Sequence, residues 1–274
     1  MKSLIQVTQV REISDVSQEG QNQFPTLFSE NYPAGQNQNK PEVAILLPTY
    51  CEAGNIENLI REIGSLDINP LIVVIDDSSP DGTAAVVQKL REEYNIELVV
   101  RPSKLGLGTA ITDGFQFVLS MKNPPHYIIT MDADYSHNPK DIPRLMQHAK
   151  DGFDLVIGSR YCSGGRIVGW NSLRYLISRV ANFVAVTMFR MRVNDCTSGL
   201  RCYSLRYVKN VIGDLHSQTY DIQIETVKQA QSQGFAVKEI PITFTNRKVG
   251  KSKLTLAEIR GFLSYILKAK LGKR

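Results

Sequence analysis

The sequence contains no run of 18 apolar residues, so it predicts no membrane-crossing helix. Its first residues, MKSLIQVTQVREISDVSQ, lack the long apolar stretch of a secretion signal. Cysteine is sparse. Cys51, Cys162, Cys196 and Cys202 form no CxxC pair, and the spacing of Cys196 and Cys202 does not suit zinc. Free thiols in the reducing cytoplasm are the expectation. Neither GxGxxG nor a Walker lysine is present, so the run 104–109, KLGLGT, is either a tight helix entry or a weak phosphate loop. No internal repeat is visible. No basic patch is interleaved with aromatics, which argues against nucleic acid as a partner.

Charge is abundant but unevenly placed. Residues 1–159 carry a net charge of −9 and residues 160–274 a net charge of +14. A basic half of that kind suits phosphates or an anionic membrane surface. Residues 1–40 are rich in Gln, Asn and Ser without periodicity and read as a disordered polar tail. The folded domain is expected over 41–250, followed by a basic amphipathic helix over 251–274.

From Val43 the chain alternates apolar runs with amphipathic stretches. Strands are expected at 43–47, 71–75, 96–100, 127–131 and 154–158, with helices between them. Apolar runs without polar alternation predict an α/β fold, a mostly parallel sheet covered by helices on both faces. Beyond Arg160 the sequence predicts a helix over 173–190, an irregular DCTSGLRCY, a helix over 221–233, a strand over 236–244 and a helix over 255–271.

In such a sheet ligands bind at the C-terminal strand ends. Three polar clusters fall there: PTYCE at 48–52, DDSSPDGT at 76–83 and DAD at 132–134. Each alone reads as a turn or helix cap. Together they predict a shared site, because clustered carboxylates repel unless a cation or hydrogen-bond donors meet them. A hard divalent cation such as Mg2+, bridging carboxylates to phosphates, fits such donors.

PTYCEAGNI, IDDSSPDGT, GLGTA, MDADYSHNP, GSRY, GGRIVGW, DCTSGLR and FTNRKVGKSKL resemble, in order and spacing, the family-2 inverting glycosyltransferases. More narrowly they resemble the polyprenol-phosphate (dolichol-phosphate) mannose synthases. The resemblance runs from about Val43 to Leu254. It implies a GT-A fold and mannosyl transfer from GDP-mannose to a polyprenyl phosphate. It also implies roles. Pro48, Tyr50, Glu52, Ile75 and Asp77 would form the nucleotide pocket. Asp132, Ala133 and Asp134 would meet ribose and diphosphate, with Asp134 on the metal and Asp132 beside it. Arg160 and Arg174 would lie near the acceptor phosphate, and Arg247 and Lys253 would clamp a phosphate. Some members carry glutamine as a metal ligand where this chain has Ser136, so either Ser136 or water takes that place. Asp195 is the alternative base, expected instead to orient arginines or the sugar. His137 is expected to pack or cap.

Rival readings remain open at this point. The same chemistry with UDP-glucose or another nucleotide-sugar is one. A phosphatase of the haloacid dehalogenase type, with Asp132 as nucleophile, is another. A lipid acceptor implies attachment at the cytoplasmic face of a membrane. Leu173, Leu176, Ile177, Val180, Phe183 and Val184 recur at helical spacing, and so do Phe262, Leu263, Ile266 and Leu267. They read either as in-plane interfacial helices or as helices covering the core. A membrane-anchoring partner protein is a further route to the lipid.

Overall fold

A computed structural model describes residues 40–247. It begins with β1 (Val43–Thr49), α1 (Ala53–Gly64), β2 (Leu71–Asp76), α2 (Thr83–Leu90), β3 (Ile96–Val100) and α3 (Leu107–Ser120). There follow β4 (Tyr127–Thr130), α4 (Ile142–Lys150), β5 (Leu155–Ser159), β6 (Arg166–Val168) and α5 (Ser172–Met188). The described chain closes with β7 (Arg201–Ser204), α6 (Leu205–Val211), α7 (Ile222–Ser232), β8 (Val237–Pro241) and β9 (Thr243–Thr245).

Seven strands form one sheet in the order β3-β2-β1-β4-β7-β5-β8. Every pairing is parallel except those of β7, which runs against both β4 and β5. The apolar strands explain their own burial. Successive side chains of a strand point to opposite faces. Val43, Ile45 and Leu47 join a core with α1, α2 and α4, while Ala44 and Leu46 join a second core with α3, α6 and α7. Both faces are therefore covered, and at roughly 2 kcal/mol per fully buried aliphatic side chain these cores dominate the stability.

The expected mostly parallel sheet is present, and the differences are local. Part of the stretch expected to be irregular is β7. Four residues are too few to show a period, and their register comes from β4 and β5. The strand expected over 236–244 breaks after Pro241, which has no N–H to continue a ladder. Its first part pairs with β5 and its second with β6. GLGT is a tight helix entry. Gly106 has φ 102°, and a Cβ at Gly106 or Gly108 would collide with the carbonyls of Gln218 or Ser217. The expected C-terminal helix lies outside the described residues.

Helix α5 buries only Asn182 and Ala185. Leu173, Leu176, Ile177, Val180 and Phe183 are exposed, Leu173 and Phe183 by 67% and 68%. The first turns of α5 thus present their apolar side outward, while Val184, Ala185, Val186 and Met188 pack the end of the helix against the core. Among the described residues no helix is long and apolar enough to cross a membrane. All four cysteines are free thiols.

Candidate active site

β2, β1 and β4 are adjacent and parallel, with Pro48 beside Ile75 and Leu46 beside Thr130. The three polar clusters therefore leave the sheet at one edge. In DDSSPDGT, two of the three aspartates serve the loop itself. Asp76 accepts from Thr49 Oγ1 at 2.7 Å and from Ser79 N and Oγ at 2.8 and 2.6 Å. Asp81 accepts from Thr83 Oγ1 at 2.6 Å and from Ala53 N at 3.0 Å. These contacts bind the β2 loop to the β1 loop, where Tyr50 and Glu52 lie. Glu52 is buried and accepts from Asn55 Nδ2 at 2.9 Å. Ile75 has no exposed surface and belongs to the core cluster of Leu46 and Phe115, so it supports the site from beneath.

Asp77 is held by a residue that the motifs do not mark. Arg101, buried just beyond β3, donates from Nε to Asp77 Oδ1 at 2.5 Å. The same guanidinium reaches Thr109 Oγ1 at 2.8 Å, Asp113 Oδ2 at 3.1 Å and the Gly106 carbonyl at 3.0 Å. It ties the β2 end to the loop before α3. That loop places the Lys104 ammonium 4.4 Å from the centre of the Tyr50 ring.

Ala133 is buried between two aspartates that have different neighbours. Asp134 Oδ1 accepts from Ser136 N at 3.0 Å and from Ser136 Oγ at 2.5 Å. Its Oδ2 lies 2.9 Å from a terminal guanidinium nitrogen of Arg247. Asp132 Oδ2 lies 3.3 Å from Nε2 of the buried His137, whose ring stands edge-on to Phe244 at 5.1 Å. Burial opposes ionisation of Asp132, but His137, Arg247 and Arg160 outweigh it and hold its pKa below the ordinary carboxylate value. Gly199 makes room for this carboxylate, since a Cβ there would sit 2.9 Å from both of its oxygens.

Arg160 and Asp195 form a buried bidentate pair. Arg160 Nε and Nη2 donate to the two Asp195 oxygens at 2.8 Å each, and Arg160 N donates to Oδ2 at 3.0 Å. Asp195 has no exposed surface. Its burial is overcome by Arg160, which lowers its pKa to about 2. Behind it, the fully buried Arg201 donates to the carbonyls of Cys196, Ser198 and Gln223, fixing the 195–199 loop under Asp132. Arg174, in the first turn of α5, donates to Asn246 Oδ1 at 3.0 Å and stacks on Trp170. Lys253 lies outside the described residues.

The edge thus combines Asp132 and Asp134 with Arg160, Arg174 and Arg247. Among the described residues no three acidic, His or Cys side chains cluster to make a complete metal cage. Two carboxylates with a cation already against one of them fit a hard divalent ion that draws its remaining ligands from a diphosphate. A surface hollow of about 570 Å³ lies at the other end of the strands, where Arg206 already covers Asp154.

The signal that could have found Arg101 is a lone arginine directly after an apolar strand. His137 was legible only as a packing residue, and Gly199 and Arg201 carried no signal that distinguished them.

The glycosyl transferase family 2 profile matches residues 44–212. A polyprenol monophosphomannose synthase of Mycolicibacterium smegmatis is 34% identical over 219 residues, covering 79% of this chain and 82% of that protein. An undecaprenyl-phosphate mannosyltransferase of Micrococcus luteus is 34% identical over 218 residues, covering 78% and 87%. The crystal structure of glucosyl-3-phosphoglycerate synthase from Mycobacterium tuberculosis with Mn2+, UDP and glucosyl-3-phosphoglycerate superposes with a TM-score of 0.61 at 17% identity, covering 85% and 81%. That likeness agrees with the expected GT-A-like fold.

Proposed function

The chain belongs to glycosyl transferase family 2 and is a glycosyltransferase, and from that premise we propose that it transfers mannose, with inversion, from GDP-mannose to a polyprenyl phosphate. Membership in the family displaces the phosphatase reading of Asp132. The observation that carries the proposal is the meeting of the Asp132–Asp134 pair with Arg160, Arg174 and Arg247 at one sheet edge. Such an edge suits a reaction with a phosphate on each side of the transferred sugar. The two relatives named for polyprenyl- or undecaprenyl-phosphate mannose chemistry support the same reading.

The chemistry needs no base from the chain. A phosphate monoester has its second pKa near ~6 and is an anion at neutral pH. Its oxygen attacks the sugar C1, the bond from C1 to the diphosphate oxygen breaks, and the nucleoside diphosphate departs. The enzyme's task is positioning and charge neutralisation. Pro48, Tyr50, Glu52 and Asp77 bound the nucleotide pocket. Arg160 and Arg174 hold the acceptor phosphate. Arg247, with Lys253, moves onto the leaving diphosphate. Asp195, enclosed beneath Arg160, orients that arginine. Asp134 and Asp132, with Ser136 or water, would hold Mg2+ or Mn2+, which would supply positive charge against the leaving diphosphate.

The outward apolar side of α5, with Arg174 and Arg179 beside it, lies in the headgroup layer at the cytoplasmic face of a membrane. A membrane-anchoring partner would reinforce that attachment. A second reading keeps the mechanism and changes the donor to UDP-glucose, a nucleotide-sugar found in complexes of the structurally similar synthase. The deciding experiment is a donor screen with purified protein, Mg2+ or Mn2+ and a short polyprenyl phosphate. Mannosyl-lipid from GDP-mannose supports the proposal. Glucosyl-lipid from UDP-glucose alone selects the second reading. No lipid-phosphate product with any nucleotide-sugar refutes both.

A further inference from the structure

The segment GGRIVGW contributes one side chain that the mechanism above does not use. Trp170 is the only tryptophan in the sequence. It lies between β6 and α5, just after Gly169, whose φ of 83° turns the chain toward the helix. The β6–β9 ladder brings it beside the other side of the site: Asn246 N donates to the Val168 carbonyl at 2.9 Å. The indole meets Phe244 at 5.3 Å between ring centres, and the Arg174 guanidinium carbon sits 4.3 Å above the indole centre. The Arg160 guanidinium carbon lies 5.9 Å from the same ring.

Arg174 needs such a support. Its guanidinium has a neutral partner, Asn246, and no ion pair with a carboxylate among the described residues. Burial, followed by the nearby Arg247, lowers its pKa, with Arg160 adding to the effect and Asp134 opposing it. A cation pressed by two like charges turns toward solvent unless something holds it. The negative face of an indole attracts a guanidinium without neutralising it, so the charge stays available for an anion. A carboxylate in that place would hold Arg174 more firmly but would compete with a phosphate. The indole Nε1–H is buried with no acceptor among the described residues. An unmade buried hydrogen bond is a penalty that phenylalanine would not carry. The ring's hydrogen-bonding group is thus unused in this structure, while its face is in contact with the cation.

We propose that Trp170 is a positioning residue that presents Arg174, beside Arg160, as a preformed clamp for the phosphate monoester of the acceptor. This deepens the reading of Arg160 and Arg174 given above and rests on it. The indole face sets the direction of one guanidinium, and Asp195 sets the other.

The test has a kinetic arm and a binding arm. Trp170→Leu keeps bulk and removes the π face. It should raise the KM for a short polyprenyl phosphate about tenfold, the order expected for a partly desolvated cation–π contact. Its kcat and its KM for the nucleotide-sugar should stay within about twofold, since the loss is one of ground-state and transition-state binding alike. Trp170→Phe should recover most of the acceptor KM. An unchanged acceptor KM in Trp170→Leu, a parallel rise in both KM values, or no recovery in Trp170→Phe overturns the proposal.

The binding arm does not depend on turnover. In the unmodified protein the single tryptophan should change its emission saturably on titration with a short polyprenyl phosphate. The change should weaken at least about tenfold in apparent affinity in Arg174→Gln. An emission unmoved by the phosphate, or moved equally in Arg174→Gln, overturns the proposal even if the enzyme is active. If no nucleotide-sugar yields product, the reading of function fails, and the titration still decides for or against Trp170.

Discussion

Replacing Asp195 with asparagine leaves shape and one acceptor oxygen but removes the charge opposite Arg160. Asp195 is fully enclosed and Arg160 nearly so, with two side-chain contacts of 2.8 Å. Arg160 lowers the Asp195 pKa from 3.8 to about 2. At 1.36 kcal/mol per pKa unit that difference is about 2 kcal/mol of stability at neutral pH. Removing one partner of a buried pair outright costs ~3–5 kcal/mol, so a shape-preserving change should lose about 2–3. The folded pKa is lower than the unfolded one. The contribution is therefore present above the unfolded value and lost as pH falls through the folded value. The deficit of Asp195→Asn should be constant above pH ~5 and shrink between about pH 4 and pH 2. Urea unfolding of the two proteins across that range measures it. Turnover should fall but remain measurable, because Arg160 is loosened rather than removed. An Asp195→Asn protein of undiminished stability, yet as inactive as Asp134→Asn, would refute the reasoning and return Asp195 to the role of base.

Other outcomes follow from neighbouring contacts. Asp134→Asn should abolish transfer and weaken Mn2+ binding in the presence of GDP by at least about tenfold, with a thermal midpoint close to that of the unaltered chain; calorimetric Mn2+ titration checks it. Arg247 pairs with the Asp134 oxygen, so Arg247→Gln should bind Mn2+ several-fold more tightly without nucleotide; unchanged affinity would show that the ion does not displace this arginine. The double change Leu176→Glu and Phe183→Glu touches only exposed positions of α5. It should leave the thermal midpoint within about 2 °C and abolish flotation with anionic liposomes; persistent flotation would mean that other residues bind the lipid. Gly108→Ala drives a methyl into the Ser217 carbonyl and should destabilise the chain by at least about 2 kcal/mol, read by urea unfolding.

The sequence by itself determined the sheet and its edge. Val43–Leu47 and Leu71–Ile75 are apolar at every position, which suits only strands covered on both faces; Pro48-Thr49 ends the first and Asp76-Asp77 the second. Asp132 and Asp134 therefore fall at that edge on the sequence alone. What the sequence could not carry is pairing across long separations. DDSSPDGT has three aspartates, of which only the family resemblance singles out Asp77. The fold gives Asp76 and Asp81 to the loop and Asp77 to Arg101, 24 residues away. Asp195 and Arg160 are 35 positions apart, and only the β5–β7 register brings them together. Helix α5 shows the same limit from the other side. Its apolar spacing suited core and lipid equally, and only packing left Leu173 and Phe183 exposed. Local periodicity is fixed by neighbouring residues, whereas the partner of a charge and the face left uncovered depend on the closed arrangement of the whole sheet.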